Sequence, residues 1–277
     1  MMELKSRVAV ITGGGSGFGR EIAILCGAAG MRVVLADIDV TGMNETEVRL
    51  SSQTECLSVR CDVSNYQSVD DLANATYHRF GECGVLFNNA GVGTAGPAWT
   101  STLDDWTWTI GINLMGVVHG VRSFVPRMIE QAAPSHVVNT ASAAGLVATP
   151  GSSVYCASKF AVVGLTECLY HELRAANLPI GVSLLCPAFV DTGISSSERN
   201  RPASLSAKNP LAEEYAARVK RAIKSGKLTA ADVAAATIEA VKADRFYVLP
   251  HTRIKAAVEI RLNDVLEERQ PTNTSAD

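Results

Sequence analysis

The sequence lacks the features that mark a membrane-spanning protein or a secreted disulfide-rich protein. No apolar run reaches the ~18 residues that a transmembrane helix needs. Residues Met1 to Arg7 show no charged-then-apolar signal peptide with a cleavage site. The seven cysteines form no CxxC pair and no dense disulfide spacing, a pattern typical of free thiols in a reducing cytosol. We therefore expect a cytoplasmic protein with no membrane partner.

Charge excess and clustered histidines are also missing. The net charge of −3 and the pI of about 6.0 favour neither nucleic acid nor an anionic membrane as partner. The five histidines lie far apart without ligand spacing, so no metal site is expected. The one basic cluster, Arg218 to Lys227, is interpreted as the solvent-facing side of a helix.

Short β-branched runs alternate along the chain with amphipathic stretches of helical length. The 277 residues, 47% of them hydrophobic, suit one large α/β domain or two small ones, and no linker or repeat divides them. We predict strands at about 7–11, 31–36, 55–60, 84–88, 135–141, 180–186 and 246–249. We predict helices at about 20–30, 40–50, 65–80, 103–132 and 153–176. This order indicates a single α/β domain with a doubly wound parallel sheet of about seven strands, covered by helices on both faces.

Two regions interrupt this alternation. After a core of residues 1–190, the segment 191–228 is long enough to be a lid over a substrate, and it contains a helical pattern from Pro210. A further helix is predicted at 250–269, where Ile254, Val258, Leu262 and Leu266 form an apolar stripe. That stripe should pack on this chain's core or on a second subunit. Residues 270–277 are expected to be a frayed tail.

A glycine-rich turn directly follows the first predicted strand. Gly13, Gly17 and Gly19 allow a tight turn, and a pyrophosphate can approach its backbone and the positive N-terminus of the next helix. Asp37 ends the second predicted strand, where a carboxylate can bind an adenine ribose and repel a 2′-phosphate. No Arg or Lys precedes Gly17 in the turn or follows Asp37 at Ile38, so NAD is favoured over NADP. The alternative interpretation of Asp37 is a simple turn residue.

Tyr155 and Lys159 are four residues apart in a predicted helix, so their side chains lie on one face. A free phenol titrates near pH ~10, and a nearby ammonium favours the phenolate and lowers that pKa. Such a pair can move a proton at neutral pH. It also occurs by chance on many helices, and its interpretation depends on the other motifs.

Together these motifs resemble the classical short-chain dehydrogenase/reductase family, whose fold is Rossmann-type. The resemblance runs from Arg7 to about Thr192 and includes 13 residues between Ser142 and Tyr155. Its motifs are the glycine turn 12–19, Asp62-Val63, Asn88-Asn89-Ala90-Gly91, Asn113, Ser142, Tyr155-x-x-x-Lys159 and the stretch 187–192. One departure is Ala188, since the family usually has glycine after this proline.

The resemblance implies a role for each matching residue. Tyr155 would be the general acid or base, and Lys159 would lower its pKa and bind the nicotinamide ribose. Ser142 would bind the substrate oxygen, and Asn113 would hold a water that links Lys159 to solvent. The residues implied in NAD binding are Gly13, Ser16, Gly17, Phe18, Gly19, Asp37, Ile38, Asp62, Val63, Asn89, Ala90, Gly91, Tyr155, Lys159, Pro187, Val190 and Thr192.

The predicted substrate end of the cleft is mostly apolar. Its expected lining includes Ala143, Ala144, Val147, Ser152, Phe189 and Ile194, with no Arg or Lys placed for a carboxylate or phosphate. Three tryptophans, Trp99, Trp106 and Trp108, are further candidates for the cleft or for a subunit interface.

We expect an NAD-dependent oxidoreductase that interconverts an uncharged, fairly hydrophobic secondary alcohol and its ketone. Residues 124–129 and 199–202 resemble a subgroup that oxidises benzylic alcohols of aromatic compounds. A steroid, terpenoid or sugar alcohol stays open, as does an NAD-binding redox sensor without turnover. The family resemblance also implies a homodimer or homotetramer.

Overall fold

A seven-stranded parallel sheet forms the centre of the molecule. The computed structural model describes residues 2–50, 54–205, 211–224 and 226–274. The strands are β1 (Val8–Thr12), β2 (Arg32–Asp37), β3 (Cys56–Arg60), β4 (Val85–Asn88), β5 (Ser135–Thr140), β6 (Ile180–Leu185) and β7 (Tyr247–Val248). Their spatial order is β3-β2-β1-β4-β5-β6-β7. The order reverses direction between β1 and β4, and such a switch point opens a crevice at the carboxyl ends of the strands.

Helices cover both faces of this sheet. The α-helices are α1 (Gly17–Ala28), α2 (Val40–Leu50), α3 (Tyr66–Phe80), α4 (Leu103–Ile110), α5 (Gly116–Glu130), α6 (Ser153–Ala175), α7 (Ala212–Lys224), α8 (Ala230–Lys242) and α9 (Ile254–Leu266). On one face, Ile22 of α1 and Val233 of α8 pack into the same core. On the other, Leu72, Phe124 and Leu169 bring α3, α5 and α6 together. The predicted fold class, a single doubly wound domain, is confirmed.

The central strands are buried along their whole length because helices cover both faces of the sheet. All five residues of β1 are buried, and so are all six of β5. A parallel sheet covered on both sides selects such continuous runs rather than an alternating pattern. This is why the strands were visible in the sequence at nearly their observed limits.

The predicted helix 103–132 is wrong as a single α-helix. The chain forms α4, then a π-helical turn at Gly111–Met115, then α5. A π-turn inserts one extra residue per turn and is often found at functional sites. Here it contains Asn113, a predicted site residue.

Helix α8 was not predicted, although its start has a clear sequence signal. The Thr229 side chain accepts a hydrogen bond from the Asp232 backbone N–H, and the Asp232 side chain accepts one from the Thr229 backbone. This is a capping box, which satisfies two of the free N–H groups at a helix start. Val233, Ile238 and Val241 then form the buried face.

The C-terminal region differs in part from its prediction. The predicted helix 250–269 is α9, which is shorter at both ends. In its apolar stripe, Leu262 and Leu266 are exposed, with 48% and 79% of their surface accessible, so this chain does not bury them. The predicted frayed tail is wrong for its first part, because Thr272 N donates to the buried Asp264 carboxylate at 2.8 Å. Residues 275–277 of the predicted tail lie outside the described residues.

Two further observations concern the described part of the chain only. None of its helices has both the length and the hydropathy of a membrane-spanning segment. Within residues 2–50, 54–205, 211–224 and 226–274, no three His, Cys, Asp or Glu side chains are grouped to hold a metal ion.

Candidate active site

A cleft of about 1040 Å³ lies at the carboxyl ends of the strands, on both sides of the switch point. The ends of β1 to β6 and the loops after them line it, and they contribute Gly13, Asp37, Asp62, Asn89, Ser142 and Thr192. These residues are distant in sequence, but parallel strands bring their carboxyl ends to one edge. The predicted glycine turn and the predicted Tyr–Lys pair therefore share one cavity.

The glycine turn has the backbone that its sequence predicts. Gly13 and Gly17 have φ angles of 70° and 52°, which side chains rarely tolerate. A Cβ on Gly17 would lie 2.8 Å from Thr192 Cβ, so glycine also permits the close approach of the loop after β6. Ser16 is the N-cap of α1 in an extended conformation, and its side chain makes no capping hydrogen bond. The N-terminus of α1 therefore presents backbone N–H groups to the cleft, as anion binding requires.

The Asp37 carboxylate connects β2 to the glycine turn. Its Oδ2 accepts a hydrogen bond from Gly15 N at 2.9 Å, and its Oδ1 accepts one from Asp39 N at 2.9 Å. Each carboxylate oxygen keeps a second lone pair, which a ribose hydroxyl can use. The nearest arginine of α1, Arg20, is held by Glu45 at 2.7 Å and is not free to neutralise a 2′-phosphate.

Asp37→Ala should weaken NAD binding about tenfold or more and reduce discrimination against NADP. It removes the carboxylate that would accept a ribose hydrogen bond, and a hydrogen bond to a charged group contributes roughly 1.5–3 kcal/mol. Isothermal titration with both dinucleotides measures the two affinities. An unchanged ratio of NAD to NADP affinity would refute the assignment of Asp37.

Most of the other predicted cofactor residues line the cleft around this turn. The Thr12 hydroxyl accepts hydrogen bonds from Asn89 N at 3.0 Å and Ala90 N at 3.1 Å. It thereby fixes the loop after β4 beside the glycines. Of the predicted cofactor residues, those that line the cleft are Gly13, Ser16, Gly17, Phe18, Asp37, Ile38, Asp62, Val63, Asn89, Ala90, Gly91, Tyr155, Lys159, Pro187, Val190 and Thr192. Gly19 does not line it and lies behind the turn.

Tyr155 and Lys159 face the same cleft from α6. The Lys159 Nζ lies 5.8 Å from the centre of the Tyr155 ring and donates a hydrogen bond to the Thr140 carbonyl oxygen at 2.8 Å. Lys159 is only 3% exposed. Because burial disfavours the charged form, the pKa of Lys159 is lowered to about 8.

The predicted lowering of the Tyr155 pKa by Lys159 stays a prediction, because in the protein by itself burial sets the direction of that pKa. Burial raises the pKa of Tyr155 to about 12, and this outweighs the lowering effect of its hydrogen bond with Ser142. The ammonium is not in contact with the hydroxyl but beside the ring. Tyr155 is therefore a protonated phenol at neutral pH in the protein by itself.

Ser142 lies between the strand end and the Tyr155 hydroxyl. Its Oγ accepts a hydrogen bond from Ala144 N at 3.1 Å and donates one to the Pro187 carbonyl oxygen at 3.3 Å. Ser142 is only 8% exposed, and its hydroxyl faces the cleft. Because the hydroxyl has one proton, it would turn from the Pro187 carbonyl oxygen to donate to a substrate oxygen that gains negative charge, as an oxyanion hole does.

Asn113 lies behind the cleft rather than in its lining. Its Oδ1 accepts from Val92 N at 2.8 Å, and its Nδ2 donates to Val92 O at 3.0 Å and Ser158 Oγ at 3.1 Å. These bonds fix the loop after Gly91 to the catalytic helix α6. A Cβ placed on Gly91 would be 3.3 Å from Asn113 Oδ1 and 3.6 Å from Lys159 Nζ, so the two side chains lie on either side of that glycine. The role of Asn113 in holding a water stays a prediction.

The five predicted substrate residues all line the far end of the cleft: Ala144, Val147, Ser152, Phe189 and Ile194. Ala143 joins them. Sequence reasoning missed a second wall on α7 and α9, formed by Ala212, Ala216, Val219, Ile223, Ile254 and Ala257. The helical spacing of the four α7 residues was the signal that could have revealed this wall.

Charged side chains border the substrate end, although its lining was expected to be mostly apolar. Arg199 and Arg201 both line the cleft, together with Asp105, Glu198 and Glu213. Arg199 and Arg201 reach the cleft because two short 3₁₀ helices, Ile194–Asn200 and Ala203–Leu205, fold the segment after β6 back over the cavity. The tryptophans do not line it, since Trp99 is 83% exposed and Trp108 is buried beneath Arg201.

The departure at Ala188 has a local structural counterpart. Ala188 N donates a hydrogen bond to His251 Nδ1 at 3.1 Å. His251 precedes α9 and fixes the loop after β6, and burial lowers the pKa of His251. The neutral imidazole that accepts this bond is therefore favoured.

The thiols near the cleft are not activated. Burial raises the pKa of Cys186 to about 12, and it also raises the pKa of Cys156. Since the thiolate is the reactive form, both behave as small apolar residues.

Comparison with known proteins supports this geometry. A sequence model of the family described as short chain dehydrogenase matches residues 7–203. The chain belongs to the short-chain dehydrogenase/reductase family. A short chain dehydrogenase/reductase from Burkholderia phymatum, solved in complex with NAD, is 47% identical to it. That structure superposes with a TM-score of 0.96 over 100% of both chains.

Two curated relatives of the dehydrogenase span nearly its whole length. The CLA biosynthesis dehydrogenase/reductase of Lactiplantibacillus plantarum is 36% identical over 98% of this chain and 97% of its own. The C alpha-dehydrogenase of Sphingobium sp. strain SYK-6 is 29% identical over 98% of this chain and 89% of its own. These names differ in substrate, and so family membership alone does not assign one.

Proposed function

We propose that this dehydrogenase uses NAD to interconvert a secondary alcohol and a ketone. The main support for the proposal is that Tyr155, Ser142 and Lys159 line the same cleft as a dinucleotide-type glycine turn. The solved relative from Burkholderia phymatum holds NAD, and the residues here suit it. When bound, NAD supplies the hydride acceptor or donor.

The residues of the chain would perform the accompanying proton transfer. The Tyr155 phenol donates a proton to the carbonyl oxygen in reduction, and its phenolate form takes one from the alcohol in oxidation. Ser142 stabilises charge on the same oxygen through a hydrogen bond. Lys159 would bind the nicotinamide ribose, and a positively charged nicotinamide beside Tyr155 would favour the phenolate.

We propose an uncharged, fairly hydrophobic substrate that is large enough to reach α7 and α9. The support is the apolar wall of Val147, Val219, Ile223 and Ile254 beyond the catalytic serine. An aromatic substrate is favoured by the resemblance of residues 124–129 and 199–202 to a subgroup that oxidises benzylic alcohols of aromatic compounds. The screen that tests this measures absorbance at 340 nm with NAD and matched panels of benzylic, steroid, terpenoid and sugar alcohols. Preference for sugar alcohols would overturn the proposed substrate class.

A redox sensor that binds NAD without turnover is the second candidate. Nothing in the NAD-binding half distinguishes it from an enzyme. The buried placement of Ser142 and Lys159 around Tyr155 favours the enzyme, because a pure binder needs no proton donor at this end of the cleft.

We further propose a homodimer or homotetramer in the cytoplasm. Exposed Leu262 and Leu266 on α9 give a second subunit an apolar surface to bury. All seven cysteines are free thiols, as a reducing compartment favours. Multi-angle light scattering measures the subunit count, and a monomer at all concentrations would contradict this assembly.

The rate of alcohol oxidation should rise with pH while the rate of ketone reduction stays level. Tyr155 has its pKa raised to about 12, so the phenol predominates at neutral pH and the phenolate fraction grows about tenfold per pH unit. Lys159 keeps its proton below its pKa of about 8. We expect kcat/KM for oxidation to increase roughly tenfold per pH unit between pH ~6 and ~8. A pH-independent oxidation over this range would contradict the assigned role of Tyr155.

A further inference from the structure

A buried arginine joins the segment over the cleft to helix α4. We define the lid segment as residues 194–205, which contain the two 3₁₀ helices. The Arg201 side chain is only 5% exposed, although it belongs to this surface segment. Its Nη2 donates to Asp105 Oδ1 at 2.7 Å and to Glu198 Oε1 at 3.0 Å, and its Nη1 donates to Leu205 O at 3.1 Å.

The partner surface on α4 is itself rigid. Asp105 is the third residue of a capping box, in which its Oδ2 accepts from Thr102 N at 2.9 Å. Trp108, one helical turn further along, is 3% exposed, and its ring lies 4.3 Å from the Arg201 guanidinium carbon. A guanidinium stacked on an indole and paired with a carboxylate is a favourable arrangement that lysine cannot reproduce.

A second contact fixes the other end of the lid segment. Gly93 N donates to the Ser197 hydroxyl at 3.1 Å, and Ser197 is 5% exposed. Gly93 follows Val92, which is bonded to Asn113. The lid segment is therefore attached to the loop after β4 by Ser197 and to α4 by Arg201.

We propose that Arg201 is a positioning residue that holds the lid segment closed over the substrate through Asp105 and Trp108. The proposal rests on the proposed function, since it takes the cleft beneath the lid as the substrate site. Three N–H groups of the guanidinium donate to protein acceptors, and its Nε lies 2.8 Å from Glu198 Oε2, so the surrounding protein holds the side chain in place. Loss of one partner leaves a buried charge unpaired, which shifts the lid segment towards an open state. Apparent substrate affinity then falls with the closed fraction.

The test uses the NAD-bound protein with Asp105→Asn and Arg201→Lys. Asparagine keeps an oxygen for Thr102 and the size of the side chain, while it removes the charge that pairs with Arg201. We expect KM to rise roughly tenfold in both variants, with kcat unchanged or raised because opening is easier. NAD affinity should not change. The KM of the double variant should be no higher than that of the more strongly affected single variant, because both substitutions break the same interaction.

Limited trypsin digestion tests, without any substrate, whether Arg201 holds the lid segment closed. Trypsin can cut after Arg199, whereas the Arg201–Pro202 bond resists it, so all variants present the same lid site. We expect cleavage after Arg199 to be roughly tenfold faster in Asp105→Asn and Arg201→Lys than in wild type. Wild-type cleavage rates in both variants would overturn the proposal. If cleavage accelerates but no alcohol or ketone reacts in any of the proteins, the role of Arg201 in holding the lid segment is supported and the proposed function is refuted.

Arg174→Lys is the matched control. Arg174 also pairs with an aspartate, Asp244, and its guanidinium carbon lies 5.3 Å from the Tyr170 ring centre. It lies on the outer surface of α6 and outside the cleft lining, so its substitution should change neither KM nor cleavage after Arg199. An equal effect in Arg174→Lys would show that general destabilisation explains the results, and it would overturn the specific role of Arg201.

Discussion

Tyr155→Phe should lower kcat/KM by roughly 10³–10⁴ while it leaves the affinity for NAD nearly unchanged. The substitution removes a single oxygen from a side chain that lines the cleft and bonds with Ser142. That oxygen is the proton donor and acceptor in the proposed reaction, whereas hydride transfer itself depends on NAD. Steady-state assay at 340 nm gives kcat/KM, and titration of intrinsic fluorescence gives NAD affinity.

Tyr77→Phe is the control for this loss. Tyr77 lies on α3, outside the cleft lining, and its hydroxyl donates to Gln131 Oε1 at 2.9 Å. Burial raises the pKa of Tyr77, as it does for Tyr155. The control should lose some stability, of about 1 kcal/mol, and keep its activity. Comparable turnover in Tyr155→Phe and wild type would remove the catalytic assignment.

Gly19→Ala should weaken NAD binding by at least about 100-fold, the second large effect that we expect. A Cβ at Gly19 would overlap the Gly13 carbonyl oxygen and would lie 2.7 Å from Asn89 Nδ2. Both neighbours are fixed, one by the turn and the other by its hydrogen bond to Thr12 O at 3.0 Å. The turn must therefore move away from the position at which a pyrophosphate can reach its backbone. Calorimetric titration with NAD measures the loss.

Gly164→Ala separates this effect from helix propensity. Gly164 is also a helical glycine, on α6, and a Cβ there meets no atom within 4 Å. Alanine should raise the free energy of unfolding by roughly 0.5–1 kcal/mol and leave NAD affinity unchanged. If Gly19→Ala bound NAD as tightly as Gly164→Ala, the close packing inferred for the turn would be wrong.

The fold was predictable because parallel β/α architecture leaves strong local signals. Buried strands such as β1 and β2 contain continuous apolar runs, residues 8–11 and 33–36, and Gly13 and Gly17 mark the turn between strand and helix. The boundaries at Gly111–Met115 were not predictable in this way. A π-turn has the same apolar pattern as the α-helices beside it, and tertiary bonds of Asn113 stabilise it.

The cleft was predictable only where the chemistry depends on local spacing. Tyr155 and Lys159 are close in sequence, and any helix brings them to one face. The pairing of Arg201 with Asp105 joins residues 96 positions apart, and no periodicity reports such a contact. The effect of burial on the pKa of Tyr155 was not predictable for a related reason, because burial is a property of the whole fold.

Deuterium transfer from a secondary alcohol to NAD tests the central claim most directly. The alcohol carries deuterium on its carbinol carbon, and mass spectrometry examines the nicotinamide product and the ketone. The proposed function predicts one deuterium in each NADH formed, one ketone for each NADH, and neither product with Tyr155→Phe beyond a trace. NAD binding with no labelled NADH from any alcohol in the panel would contradict it and would favour an NAD-binding sensor.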